Sequence, residues 1–260
     1  MEYVMLKDGT AIAYKRSGTG PPLVLVHGAI SDHRIWQQVS PALEDHFTVY
    51  ALDRRSHGNS GPYLPNYTLE REFEDLAEFI DTLGEAVYLV GHSSGACYAL
   101  FAALRTSNVH SLVLYEPPPL QLPPPAILER INHYEAQHDP VGLFITFMDE
   151  IVRTPPETLE RLQKNHLWQM WITNAPTLPS ELRSFADYKI DPASFATFQQ
   201  PTLLLFGSES PRYMWASTQK VAATLPNSQV VILEGQGHGA MNSAPELFVG
   251  KIRQFLTAQT

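Results

Sequence analysis

Gly91-His92-Ser93-Ser94-Gly95 sets a serine between two glycines in the pattern G-x-S-x-G. A serine hydroxyl is a weak nucleophile until a neighbouring base removes its proton. The pattern carries chemistry where the serine sits on a sharp turn from a buried strand into a helix, because such a turn needs small neighbours and exposes the hydroxyl. Ala86-Val87-Tyr88-Leu89-Val90 reads as that strand, and an Ala- and Leu-rich helical stretch begins at Gly95. Free N–H groups at the start of the helix favour negative charge developing beside the serine. Ser93 is therefore the candidate nucleophile for attack on a carbonyl carbon. A glycine-rich turn with a capping serine is the competing reading, and the flanking strand and helix weigh against it.

Three further segments follow buried strands in the same way. Val26-His27-Gly28-Ala29 offers a backbone N–H for an oxyanion hole. Asp53-Arg54-Arg55-Ser56-His57-Gly58-Asn59-Ser60 is a second, and Gly235-Gln236-Gly237-His238-Gly239 puts one of the 10 histidines in a glycine-rich loop. Open α/β sheets build their sites from loops leaving the carboxyl ends of parallel strands.

The elements that must position these residues alternate. Residues 3–6 and 10–15 suggest a hairpin turning at Asp8-Gly9. Short, continuous apolar runs at 23–26, 48–52, 86–90 and 111–115 read as strands buried on both faces, with helical periodicity at 33–44, 68–83 and 95–105 between them. Such alternation implies crossover connections and a mostly parallel sheet. Pro117-Pro118-Pro119 and Pro123-Pro124-Pro125 end the pattern, since proline continues neither a helix nor an interior strand. Short amphipathic helices follow to about 198. Strands at 202–206 and 230–233 and a helix at 245–257 close the chain. The expected division is a core over 1–118 and 199–260 with a helical cap over 119–198.

A net charge of −9 weighs against nucleic acid and anionic membrane surfaces, which want clustered Lys and Arg. A single cysteine, Cys97, excludes an internal disulfide framework, and its place behind Ser93 suggests a small buried apolar residue. The first residues lack a basic segment followed by an apolar run, and no stretch reaches membrane-spanning length, so the expectation is a cytoplasmic protein. There is no P-loop, no H-E-x-x-H and no Cys/His cluster, and the glycines at 235–239 lack the context of a dinucleotide loop. No metal or cofactor is expected. Oligomeric state is open.

From the His-Gly turn at residue 27 to His238 the chain resembles the α/β-hydrolase superfamily. Its first-half motifs are most similar to the esterase, cofactor-free haloperoxidase and carbon–carbon hydrolase branches. The resemblance implies a mostly parallel eight-stranded sheet with helices on both faces and a helical cap inserted before the last two strands. It implies Ser93 as nucleophile and His238, in the loop after the last strand, as general base. Only a neutral imidazole can accept the proton. The oxyanion hole falls to the backbone N–H groups of Ala29 and Ser94. His92 should point away from the nucleophile, and His27 and His57 should brace their own loops.

The acid departs from the pattern. The family's usual position, three residues past the glycine ending the next-to-last strand, holds Ser210, with Glu209 one place early. Haloalkane dehalogenases carry the acid just after the strand preceding the cap, which here is Glu116 in Leu114-Tyr115-Glu116-Pro117. A carboxylate at a buried strand's end, fixed by a following proline, needs a partner. A hydrogen bond with His238 would supply one and set its tautomer. Glu116 is the preferred acid, and Glu209 the alternative.

Phe144, Phe147, Trp168, Trp171, Phe185, Phe195 and other large apolar residues populate the inserted segment. Most should pack the cap, and some should face the cleft, which favours a small, mostly apolar acyl substrate over a sugar or a highly charged one. The expected activity is cofactor-independent hydrolysis of a carboxylic ester through an acyl-enzyme. The alternatives are a lyase or carbon–carbon hydrolase using the same serine and histidine, or a low-turnover ligand-binding protein on the same fold. Ser93 disfavours dehalogenase and epoxide-hydrolase chemistry, which need aspartate there.

Overall fold

A computed structural model describes residues 1–63, 67–186 and 192–258. Among the described residues eight strands form one sheet: β1 (Glu2–Met5), β2 (Ala11–Ser17), β3 (Pro22–Val26), β4 (Thr48–Leu52), β5 (Val87–His92), β6 (Val109–Tyr115), β7 (Thr202–Gly207) and β8 (Ser228–Leu233). Their order across the sheet is β1-β2-β4-β3-β5-β6-β7-β8. β2 runs antiparallel to β1 and β4, and every other pairing is parallel. The mostly parallel expectation holds.

The interior strands are apolar throughout because each feeds two cores. Val24, Val26, Val87 and Leu89 face the layer that holds α2 (Leu69–Thr82) and α3 (Ser94–Ala103). Leu23, Leu25, Tyr88 and Val90 face the opposite layer, where Leu43 of α1 (Ser40–Glu44) and Phe248, Ile252 and Phe255 of the C-terminal helix pack. At about 25 cal/mol per Å² of apolar surface removed from water, this double burial is the main force holding the sheet.

Between β6 and β7 the chain forms α4 (Pro125–Ala136), α5 (Pro140–Thr146), α6 (Pro156–Gln163), α7 (Trp168–Asn174) and α8 (Leu178–Ser184). Ile131, Leu143, Phe144, Leu178 and Leu182 form a third core there, joined by Ile30 from the loop after β3. Not every apolar residue of this segment belongs to it: Leu167 and Met170 join the layer of α1, and Phe195 and Phe198 that of α3.

Two helical expectations need correction. The stretch 33–44 is a 3-10 turn at His33–Trp36 and then α1, not one helix. Asp32 caps the turn by accepting the Arg34 N–H, and Pro41 fits only the first turn of α1. After β7 lies a helix that the periodicity did not announce, α9 (Arg212–Thr224), with only Met214 and Thr218 buried. The chain ends with α10 (Ala240–Ser243) and α11 (Pro245–Thr257).

Candidate active site

The sheet order reverses between β3 and β5: from β3 the chain moves to one side, through β4, and then returns to the other. Loops leaving two neighbouring strands in opposite directions open a crevice at their carboxyl ends. Ser93 stands there, between β5 and α3, at φ 55° and ψ −129°. That left-handed backbone costs a non-glycine residue about 1–3 kcal/mol. The surroundings hold it. Its N–H donates to Tyr115 O at 2.9 Å, and the start of α3 packs flat on the end of β3. A Cβ on Gly95 would run into the His27 carbonyl, and one on Gly28 would stand 2.8 Å from the Ser93 Cβ. The two glycines therefore set how closely the turn approaches the β3 loop.

Glu116 ends β6 in the neighbouring position, also left-handed at φ 50° and with 0% exposure. Burying a carboxylate there requires full satisfaction of its oxygens. Oε1 accepts the Gly207 N–H at 2.7 Å, and Oε2 lies 2.5 Å from His238 Nδ1. The contact engages Nδ1 with the carboxylate and leaves Nε2 as the ring nitrogen not taken up by Glu116. Two residues brace the His238 loop. His92 Nε2 donates to His238 O at 2.8 Å, and the two rings stand 4.5 Å apart between centroids. Tyr115 Oη donates to Gly237 O and accepts the Ala240 N–H at 3.2 Å. Burial first, then the His238 ring, pushes the His92 imidazole well below the ordinary histidine range, so it is a neutral donor. Among the described residues no hydrogen bond joins Ser93 Oγ to His238 Nε2.

The fold thus brings Ser93, His238 and Glu116 to one edge. Glu209 is elsewhere: its side chain is exposed, and its backbone N–H donates to Gln236 O at 2.9 Å. The one-residue offset after Gly207 turns the carboxylate to solvent. The bracing roles of His92 and Tyr115 were not anticipated. A hydroxyl or imidazole at the very end of an otherwise apolar buried strand was the available signal.

Residues 23–251 match the model of the alpha/beta hydrolase family. The chain belongs to that family. An α/β hydrolase from Sphaerobacter thermophilus is 36% identical, with a TM-score of 0.87 over 98% of this chain and 100% of that one. A thermophilic esterase from Thermogutta terrifontis is 25% identical at a TM-score of 0.78, covering 100% of this chain and 99% of that one. A 2-(acetamidomethylene)succinate hydrolase from Mesorhizobium japonicum is 25% identical over 255 residues, 94% of this chain and 91% of the relative.

In this alpha/beta hydrolase the edge opens into a cleft of about 230 Å³. Ala29, Ser93 and Ser94 line it together with the apolar side chains of Leu122, Ile127, Leu182 and Met214. Of the large aromatic residues of the inserted segment, Phe147 and Phe185 line it. Phe144 instead meets Trp168 edge-on and stacks with Trp171 in the third core. The polar lining comprises Gln121, Glu150, Arg153, Glu181 and Tyr213. Ser94 begins α3, where a backbone N–H has no helical acceptor, and its buried hydroxyl has no partner among the described residues.

The other singled-out residues have structural partners. His27 Nδ1 donates to Gly28 O at 2.8 Å, and its Nε2 accepts the Arg54 N–H at 3.0 Å. His57 Nδ1 donates to Arg55 O at 2.8 Å. Burial, reinforced by Arg54, pushes both rings well below the usual histidine range. Cys97 Sγ donates to Pro118 O at 3.3 Å, and burial pushes its thiol far up, opposite to what a nucleophile needs. Asp32, His33 and Asp53 bring possible ligand atoms within 4.8 Å of one another. Asp32, however, is engaged by Arg34 and Asn174, and Asp53 by His33 and Asn59. Burial alone would raise Asp32, and the hydrogen bonds from Arg34 and Asn174 outweigh it and lower it to about 2. The trio is an internally satisfied network.

Proposed function

We propose that the chain is a serine hydrolase that cleaves a small, mostly apolar carboxylic ester, with Ser93 as nucleophile, His238 as base and Glu116 as orienting acid. The observation that carries this reading is the 2.5 Å contact between His238 Nδ1 and Glu116, made on a loop tied to His92, the residue preceding Ser93. Helices α4 to α8 serve as a cap over the cleft, and the apolar lining selects the acyl group.

His238 Nε2 accepts the Ser93 proton as Oγ bonds to the ester carbonyl carbon, and Glu116 stabilises the imidazolium. The carbonyl π electrons move to oxygen, where the N–H groups of Ala29 and Ser94 receive the charge. Such donors contribute about 2.7–4 kcal/mol each in comparable sites. The intermediate then expels the alkoxide, which takes the proton from His238, and an acyl-serine remains. Water repeats the sequence and releases the acid and free Ser93.

A fluorophosphonate probe tests the reading. Covalent labelling located at Ser93 by peptide mass spectrometry, with loss of p-nitrophenyl ester turnover in Ser93→Ala and His238→Ala, is expected. Undiminished turnover in Ser93→Ala overturns it.

A further inference from the structure

Arg54 is the second residue past β4 and lies far from solvent, with 5% exposure. Its guanidinium meets four elements. Nε donates to His27 O and Nη2 to Gly28 O, both at 3.2 Å. Nη1 donates to Glu72 of α2 at 2.9 Å, and Nη2 to the Glu181 carboxylate of α8 at 3.4 Å. The cation also lies 4.8 Å from the centre of the Tyr98 ring of α3, whose hydroxyl donates to Glu181 at 2.5 Å.

Two consecutive carbonyls of the loop after β3 are thus turned towards one cation. In a trans peptide the C=O and the following N–H point in opposite directions. Arg54 shares the Gly28 carbonyl with His27 Nδ1, and holding it on that side turns the Ala29 N–H the other way, where Ala29 lines the cleft beside Ser93. Only a guanidinium has the forked set of five N–H groups to serve two carbonyls and two carboxylates at once.

We infer that Arg54 is a positioning residue for the oxyanion hole, aiming the Ala29 N–H by its grip on the His27 and Gly28 carbonyls. Glu181, which also lines the cleft, supplies part of the balancing charge and links the seat of α8 to the same loop. The inference rests on the proposed serine mechanism. Arg54 does not touch the substrate, so it acts only through the direction of a donor used most strongly in the transition state.

The test is Arg54→Lys, which keeps the charge against Glu72 and Glu181 but loses the fork. With a p-nitrophenyl ester, kcat should fall about tenfold to a hundredfold while KM changes less than about twofold. Affinity for a trifluoromethyl ketone, which forms an oxyanion on Ser93, should fall by the same factor as kcat. Affinity for an unreactive ether analogue should hold. If Arg54→Lys fails to fold, the uncharged triple variant Arg54→Met, Glu72→Gln, Glu181→Gln carries the same readouts. Wild-type kcat and trifluoromethyl ketone affinity in a folded variant, or a rise confined to KM, overturns the inference. Wild-type protein that is not labelled at Ser93 would instead defeat the serine mechanism itself.

Discussion

Glu116 Oε2 and His238 Nδ1 lie 2.5 Å apart, joined from the ends of β6 and the loop after β8. The carboxylate has no exposure and a second partner in the Gly207 N–H, so it cannot turn aside to water. Replacing it by an amide removes the charge that stabilises an imidazolium. Glu116→Gln should lower kcat by about three to four orders of magnitude. Glu209→Gln, altering an exposed side chain, should leave kcat within about twofold. Ester assays on the two purified variants decide the matter, and a loss confined to Glu209→Gln would reverse the assignment.

Glu72 gives a stability prediction with a definite sign. It faces Arg54 from β4's loop, Glu181 from α8, Asp75 from its own helix, and the Tyr67 hydroxyl at 2.8 Å. Burial pushes it up to about 7 against the attraction of Arg54, and Glu181 adds to the rise. A carboxyl raised on folding binds its proton more tightly in the native state, so the contribution of Glu72 to stability falls as pH rises from about 4.5 to about 7 and then levels off. Glu72→Gln lacks that titration. Its melting temperature relative to wild type should climb by several degrees across this window. A constant difference between pH 4.5 and 8 would contradict the reasoning.

Gly28 is held to glycine by the approach of Ser93. An added Cβ would stand 2.8 Å from the Ser93 Cβ and 3.2 Å from His92 O, so the turn or the β3 loop must shift. Gly28→Ala should cost about tenfold or more in kcat, because small misplacements of reacting groups are expensive. Its thermal midpoint should move by only a few degrees. Calorimetry beside kinetics separates this from simple unfolding.

Cys97 should be chemically silent. Its thiol is buried, donates to the Pro118 carbonyl, and is pushed far above the range in which thiolate forms. Iodoacetamide should fail to alkylate the native protein at pH 8 yet modify it fully in urea, and Cys97→Ala should retain turnover. Rapid native alkylation would mean that the α3 layer opens.

Ser93 was legible as a candidate because its surroundings are written locally: two glycines, a strand and a helix around one serine. His238 was singled out among the 10 histidines through the family resemblance, by its place in the loop after the last strand. Glu116 was legible as an option, since Pro117 and the end of an apolar run mark a buried carboxylate in need of a partner. Its meeting with His238 depends on the β6–β7–β8 pairing, which no local pattern states. Arg54, Glu72 and Glu181 lie on a loop and two separate helices, and no local pattern links them. Tertiary packing alone makes them one buried cluster. α9 escaped notice because its Ser, Thr and Gln residues blur the apolar stripe that marks an amphipathic helix.

Ser93 and Glu116 are both held in left-handed backbone. Glycine would relax either by about 1 kcal/mol. At Glu116 that relief is outweighed, because the buried Gly207 N–H and His238 Nδ1 would lose their acceptors. A campaign that screened only for heat resistance would therefore reward Ser93→Gly, which erases the hydroxyl that the proposed chemistry requires. Robustness and turnover pull against each other at that position, so any thermostabilising library should keep it fixed.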